Sequence, residues 1–392
     1  VHDVTNPPLA ARFFAYTSIA GYETLSLSGS NLVPLKDCLN QFPDIPVPDS
    51  VKSYNAELAA IMAMLHTAQK LQPSGSLLVS YESRFIDSCR EIGFSEDIIT
   101  GSLRFADQVS KAVLAYARAD NYNKTTTYRR FEPSTQPGAW YPTPPAYFAA
   151  VEPYFNTVRS FTLDSASQFI PEEPVVFSER KNSAFYSLME KNYRDSLNED
   201  HQTIAAFWDC NPFAMQDNGH LLIGLKKISP GAHWLGITGI ILKDRHTDFV
   251  KSMKILTLVS IGLMDEFICC WDEKYRSNRI RPETAIRKYI DADWMPLLQT
   301  PPFPEYPSGH SVISAASAII LTHFFGTKNS FTDTVEMRFG LPSRSFVSID
   351  SAAREAGISR FYGGIHFMDA IENGLSQGKK VGAHVLGRFG IK

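Results

Sequence analysis

The stretch DRHTDFVKSMKILTLVSIGLMDEFICCW, residues 244–271, decides the fold class, because its apolar residues recur at helical spacings over its whole length. The same periodicity extends outward on both sides. Upstream it covers residues 8–27, 51–71, 95–119, 183–198, 201–208 and 219–243, and downstream 311–325 and 366–389. The best strand candidates, 175–177 and 346–349, are each too short for a sheet of consequence. The expected class is all-α.

At 392 residues, with 44% hydrophobic and 20% charged residues, the chain has the make-up of a well-cored protein. One all-α domain is expected, with a helical N-terminal region over about 1–180 and a catalytic core over about 181–392. A net charge of −3 provides no general attraction to nucleic acid or to an anionic membrane. Residues 312–325 are apolar but carry Ser314, Ser317, Thr322 and His323, and they fall short of the roughly 18 residues of a spanning helix. They read as a buried helix, so no membrane span is expected.

Irregular segments at 28–50 and 121–147 separate the helices, the second carrying Pro133, Pro137, Pro142, Pro144 and Pro145; it reads either as a linker or as a pocket mouth. Among the five cysteines no Cys/His spacing matches a zinc site, so metal binding by thiolate is not expected. Cys38 and Cys89 both lie in the N-terminal region and could pair if the protein is exported; the plainer reading is free buried thiols. The first residue is Val1, consistent with removal of an export signal, and a periplasmic or secreted location is the expectation.

The chemistry concentrates in three strings. In the first, Trp271, Lys274, Asn278 and Arg281 fall on one stripe if the helix continues to Pro282, which places Arg281 at the helix end. Taken alone this is a solvated basic face, shared with Arg276, Arg279, Arg287 and Lys288. The second, PPFPEYPSGHS at 301–311, is a proline-stiffened run that delivers Ser308, Gly309 and His310 to a helix start, where amides carry partial positive charge. Its plain reading is an N-cap by Ser308 or Ser311. The third, SRFYGGIH at 359–366, uses a glycine pair to bend the backbone between Arg360 and His366. Together the strings offer the donors a tetrahedral oxyanion needs: the cations Lys274, Arg281 and Arg360, the Ser308 hydroxyl, the Gly309 amide, and the imidazoles of His310 and His366.

Lys274 with Arg281-Pro282, Pro307-Ser308-Gly309-His310, and Ser359-Arg360 with His366 resemble the signature of the vanadium-dependent haloperoxidases and the type 2 phosphatidic acid phosphatase superfamily. The resemblance covers about residues 271–374 and implies two packed four-helix bundles with little or no sheet. It implies that Lys274, Arg281, Ser308, Gly309 and Arg360 hold the oxygens of vanadate. It further implies that His366 is the vanadium ligand and His310 the acid–base group, with Lys274 polarising peroxide. Phosphate is expected to compete for the same site, since three cations in one pocket attract any small oxyanion.

Trp271, Phe303 and Ser308 resemble the halide pocket of these peroxidases, and the Tyr362-to-Phe367 string is most like the bacterial iodoperoxidases. The implied reaction is oxidation of iodide, with bromide second, by hydrogen peroxide to hypohalous acid, which then halogenates a small organic acceptor. No haem, flavin or nucleic-acid partner is called for. The alternatives are an acid phosphatase with His366 as nucleophile and His310 as general acid, and an inactive anion-binding protein. Two partners stay open: family members often carry an acid where this chain has Ala370, next to Asp369, and the acid expected to face Arg360 falls on Asn211, with Asp209 nearby.

Overall fold

In the computed structural model the described residues are all except 1–2, 4, 48–52, 196–197, 218–221, 225–226 and 392. The longer helices run in chain order as α1 (Pro7–Leu27), α2 (Ala56–Leu71), α3 (Val79–Glu91), α4 (Glu96–Arg118), α5 (Ala184–Asp195) and α6 (Glu199–Phe207). They continue as α7 (Pro230–Asp244), α8 (Phe249–Ser277), α9 (Pro282–Tyr289), α10 (Gly309–Phe325), α11 (Ile349–Tyr362) and α12 (Met368–Arg388). Besides several short helical turns, the described elements include two small antiparallel strand pairs: β1 (Met215–Asp217) with β2 (Leu222–Gly224), and β3 (Phe331–Asp333) with β4 (Arg344–Phe346). The all-α class holds.

Helix α8 is the axle of the molecule. Asp248 caps it by accepting from Lys251 N–H at 2.9 Å, and from Thr257 to Trp271 every residue is buried. A helix buried all round must be packed on every face. On one side α8 meets α1, which packs with α2 and α4; on the other it meets α10, which packs with α11 and α12. A single hydrophobic core runs through both groups, from Ala11 to Phe389.

The closest packing lies between α10 and α12, and glycine makes it possible. A Cβ on Gly378 would stand 2.0 Å from the Val312 carbonyl oxygen, one on Gly374 3.0 Å from that of Ser308, and one on Gly382 2.9 Å from that of Ala316. This bare stripe brings the α12 backbone against the start of α10. Ser308 N–H accordingly donates to the Ala370 carbonyl at 3.0 Å, joining the second chemical string to the segment just after the third.

Several local expectations are corrected. Of the helix expected over 219–243, Leu222–Gly224 form β2 instead, residues 219–221 and 225–226 lie outside the described residues, and α7 starts at Pro230, where Ser229 caps it. Residues 175–177 form no strand; Val175 N–H donates to the Asp369 carboxylate instead. Of 346–349 only Phe346 is in a strand, because Ser348 and Ser351 form a capping box that starts α11. Helices α3, α9 and α11 lie where no helix was expected. The alternative of free buried thiols holds for all five cysteines, Cys38 and Cys89 included.

Candidate active site

The helical stripe expected to hold Trp271, Lys274, Asn278 and Arg281 breaks at Asn278. That residue takes a left-handed conformation (φ 46°) and ends α8. Arg281 is therefore not on α8 but is the N-cap of α9, with Pro282 as the first helical residue. The turn swings Arg281 inward, and it is completely buried. Its Nε donates to the Phe303 carbonyl (2.9 Å) and Nη1 to the Ile365 carbonyl (2.8 Å), while Nη1 also lies 3.1 Å from His366 Nε2. One side chain thus ties the three strings together.

Lys274 is equally buried. Its ammonium donates to the carbonyls of Pro304 (3.0 Å), Glu305 (3.0 Å) and Pro307 (2.5 Å). Burial, with Arg281 adding to it, pulls this amine down to about 7, whereas three carbonyl acceptors call for three N–H donors and favour the charged form. An anion nearby shifts that balance toward the ammonium.

His366 is held on its far side. Its Nδ1 is 3.0 Å from Glu305 Oε1, which also accepts from Phe367 N–H at 2.9 Å. A carboxylate at Nδ1 keeps the proton there and leaves the Nε2 lone pair facing Arg281, the tautomer a metal ligand needs. Burial, followed by the charges of Arg281, Lys274 and Arg360, pushes the ring well below its ordinary value, so it is neutral. Glu305 is held in turn by Arg279, whose guanidinium bridges it to Asp369 through bonds of 2.5 and 2.9 Å. Arg279 is buried, contrary to the solvated face expected of it. The open question beside Ala370 resolves this way: Asp369 serves Arg279, and the carboxylate on His366 comes from the proline-rich run.

Ser308 caps α10, its hydroxyl accepting from Ser311 N–H at 3.4 Å, which leaves the hydroxyl proton to donate. Gly309 opens the helix, and a Cβ there would face the Trp271 ring at 3.7 Å. Arg360, at the end of α11, is buried and donates to the Ala205 carbonyl (3.1 Å) and the Ser359 hydroxyl (3.0 Å). Its acidic neighbour is Asp209, 3.9 Å away, with Lys227 also on that carboxylate. Asn211, the alternative, bonds the Gln299 carbonyl instead.

A small cavity of about 30 Å³ opens among these groups, walled by Trp271, Phe303, Gly309, His310, Arg360 and His366 and by the apolar faces of Phe213 and Phe267. Lys274, Arg281 and Ser308 lie behind that wall rather than in it. Two buried atoms, Arg281 Nη2 and His310 Nε2, have no hydrogen-bond partner among the described residues. Leaving such groups unpaired costs about 1–3 kcal/mol each, so their natural partner is an oxygen-rich ligand. The Trp208 backbone engages the other nitrogen of His310, and burial and Arg360 push this ring well below its ordinary value.

The fold superposes on the crystal structure of the first bacterial vanadium-dependent iodoperoxidase with a TM-score of 0.92 and 42% identity, covering 99% of this chain and 92% of that one. The chain belongs to the vanadium-dependent haloperoxidases. The haloperoxidase also shares its fold with the holo form (TM-score 0.74, 14% identity, 98% and 93% covered) and the apo form (0.71, 15%, 98% and 94%) of a bacterial vanadium-dependent chloroperoxidase. The family described as the VCPO second helical-bundle domain matches residues 254–390, the stretch from α8 to the end of α12. No curated protein matches the sequence. No helix among the described residues of this haloperoxidase is long and apolar enough to cross a membrane.

Proposed function

We propose that this haloperoxidase holds vanadate between α8, α9, α10 and α11 and uses hydrogen peroxide to oxidise iodide, with bromide second. The observation that carries the reading is His366: a buried neutral imidazole whose Nδ1 is anchored on Glu305 and whose Nε2 is turned toward a cationic hollow. The donor set fits an anionic, oxygen-rich group. Arg281 Nη2 and His310 Nε2 are buried without partners among the described residues, and Gly309 keeps the Trp271 side of the cavity clear of a side chain.

In this reading His366 ligates vanadium, while Lys274, Arg281 and Arg360 neutralise the oxyanion and the Ser308 hydroxyl and Gly309 amide donate to its oxygens. When bound, vanadate supplies Lewis acidity that makes a peroxide oxygen electrophilic, with no change of oxidation state. His310, neutral and with Nε2 unpaired, accepts a proton from incoming peroxide and returns it to the departing oxygen. Lys274 offers positive charge to the same oxygens. The apolar walls of Trp271, Phe303, Phe213 and Phe267 suit a weakly hydrated, polarisable anion.

Iodide is also the halide most easily oxidised, and the 42% identical relative bears the name iodoperoxidase. The product is hypohalous acid or its equivalent, passed to a small organic acceptor. The test is a set of initial rates with iodide, bromide and chloride after reconstitution with orthovanadate. Rates should fall in that order, with little turnover of chloride; chloride oxidised as fast as iodide would overturn the assignment.

A further inference from the structure

Beside the cavity, whose wall Cys210 itself helps to form, lies a second group of ligating atoms that the peroxidase reaction does not use. Cys210 follows α6, His233 sits in the first turn of α7, and Glu336 lies between β3 and β4; all three are buried. Cys210 Sγ is 3.3 Å from His233 Nδ1, His233 Nδ1 is 3.4 Å from Glu336 Oε1, and Cys210 Sγ is 3.9 Å from Glu336 Oε1. The far nitrogen of the ring, Nε2, is 2.7 Å from the buried Asp333 carboxylate. The Trp208 ring stacks on His233 at 4.8 Å and fixes its plane.

Proton bookkeeping on this group leaves a deficit. With Nε2–H given to Asp333, the lone pair of Nδ1 points at Cys210 and Glu336, so an imidazole nitrogen, a carboxylate oxygen and a sulfur converge with only the thiol proton among them. Asp333 on the far nitrogen is the outer partner that metal-bound histidines regularly carry. The triangle also has the right size. Zinc bonds of about 2.3 Å to sulfur and about 2.0–2.2 Å to nitrogen and oxygen place tetrahedral donors about 3.3–3.7 Å apart. The observed edges of 3.3, 3.4 and 3.9 Å lie within a few tenths of an ångström of that.

We propose that Cys210, His233 and Glu336 bind a zinc-class divalent cation, at a site that adjoins the vanadate pocket through Cys210 but shares none of its vanadate-holding residues, with the remaining coordination position taken by solvent. Binding releases the thiol proton to solvent; the thiolate and the Glu336 carboxylate then neutralise the 2+ ion, leaving the Asp333 carboxylate, hydrogen-bonded to the neutral ring, as the one net charge of the buried group. The ion clamps three segments that are distant in sequence, and for that reason no spacing motif betrays it. Its clamp lies next to Asp209, the acidic neighbour of Arg360, and to Trp208, whose backbone engages His310. The cation is thus a structural support for the back of the active site and takes no part in the redox step.

The test is metal analysis of the full chain, produced with zinc and dialysed, together with the absorption spectrum of the cobalt-substituted protein. An equivalent of zinc per chain is expected, with a sulfur-to-cobalt charge-transfer band and the visible bands of four-coordinate cobalt. Cys210→Ser should abolish the charge-transfer band, and Glu336→Gln should strip the zinc on dialysis. Where a variant does not fold, the wild-type protein still decides. A wild-type chain that keeps neither zinc nor cobalt, or a Cys210→Ser variant with full zinc and an unchanged cobalt spectrum, would overturn the proposal; the buried group would then be an imidazolium bridging Asp333 and Glu336.

Discussion

At the scale of single residues, the site is a chain of charges that ends on one nitrogen. Asp369 holds Arg279, Arg279 holds Glu305, and Glu305 holds His366 so that its Nε2 faces Arg281. Glu305 is a positioning residue, and replacing its charge should weaken the ligand without removing it. Glu305→Gln is expected to lower orthovanadate affinity about 10- to 100-fold, read by titration of the apo protein, while secondary structure is retained. Unchanged affinity would show that the carboxylate does not tune the imidazole.

The cations and histidines of this network stand in recognisable strings, but its acids do not. Glu305 sits among prolines, where a carboxylate reads as an ordinary loop acid, and Arg279 sits where helical periodicity continues on paper. Only the left-handed turn at Asn278 separates Arg279 and Arg281 from a solvated face, and a single asparagine gives little local warning of such a turn.

At the scale of elements, two features bear weight. The glycine stripe of α12 lets the start of α10 seat Ser308 against Ala370. Gly378→Ala forces a methyl group onto the Val312 carbonyl, so α10 and α12 must part, at a cost of about 3 kcal/mol. The expected result is a lowered unfolding midpoint and weaker vanadate binding; a midpoint equal to the wild type would contradict the packing described. The second feature is Glu23 in α1, buried and touched by Leu35 N–H at 3.3 Å.

Burial raises the Glu23 carboxyl from about 4.5 to about 7. Across that window the folded chain binds more protons than the unfolded chain, so this group's contribution to stability falls as pH rises. Glu23→Gln removes that dependence. Its stability relative to the wild type should improve by about 2 kcal/mol between about pH 5 and about pH 8, measured by denaturant unfolding at each pH. A pH-independent difference would place the carboxyl in water. Among the elements, strongly periodic helices such as α1, α8 and α10 were legible from sequence. Helices α3, α9 and α11 were not: α9 is a single short segment after Pro282, and α11 hides behind a serine capping box and a stretch of small residues.

At the scale of the molecule, the family signature supplied what periodicity could not, namely that strings 271–282, 301–311 and 359–366 meet in space. The fold explains how: α8 carries the first string, the α10 start carries the second, and α11 and α12 flank the third, all packed on one core. What His366 would hold is a vanadate that activates hydrogen peroxide, the oxidant of iodide. The most direct measurement of that role is triiodide formation by the apo protein, before and after addition of orthovanadate, for the wild type and for a folded His366→Ala variant. Turnover is expected only in the vanadate-loaded wild type, with loss of at least about 100-fold in the variant, the scale of removing a group essential to transition-state stabilisation. Equal turnover in His366→Ala, or full turnover without vanadate, would contradict that role.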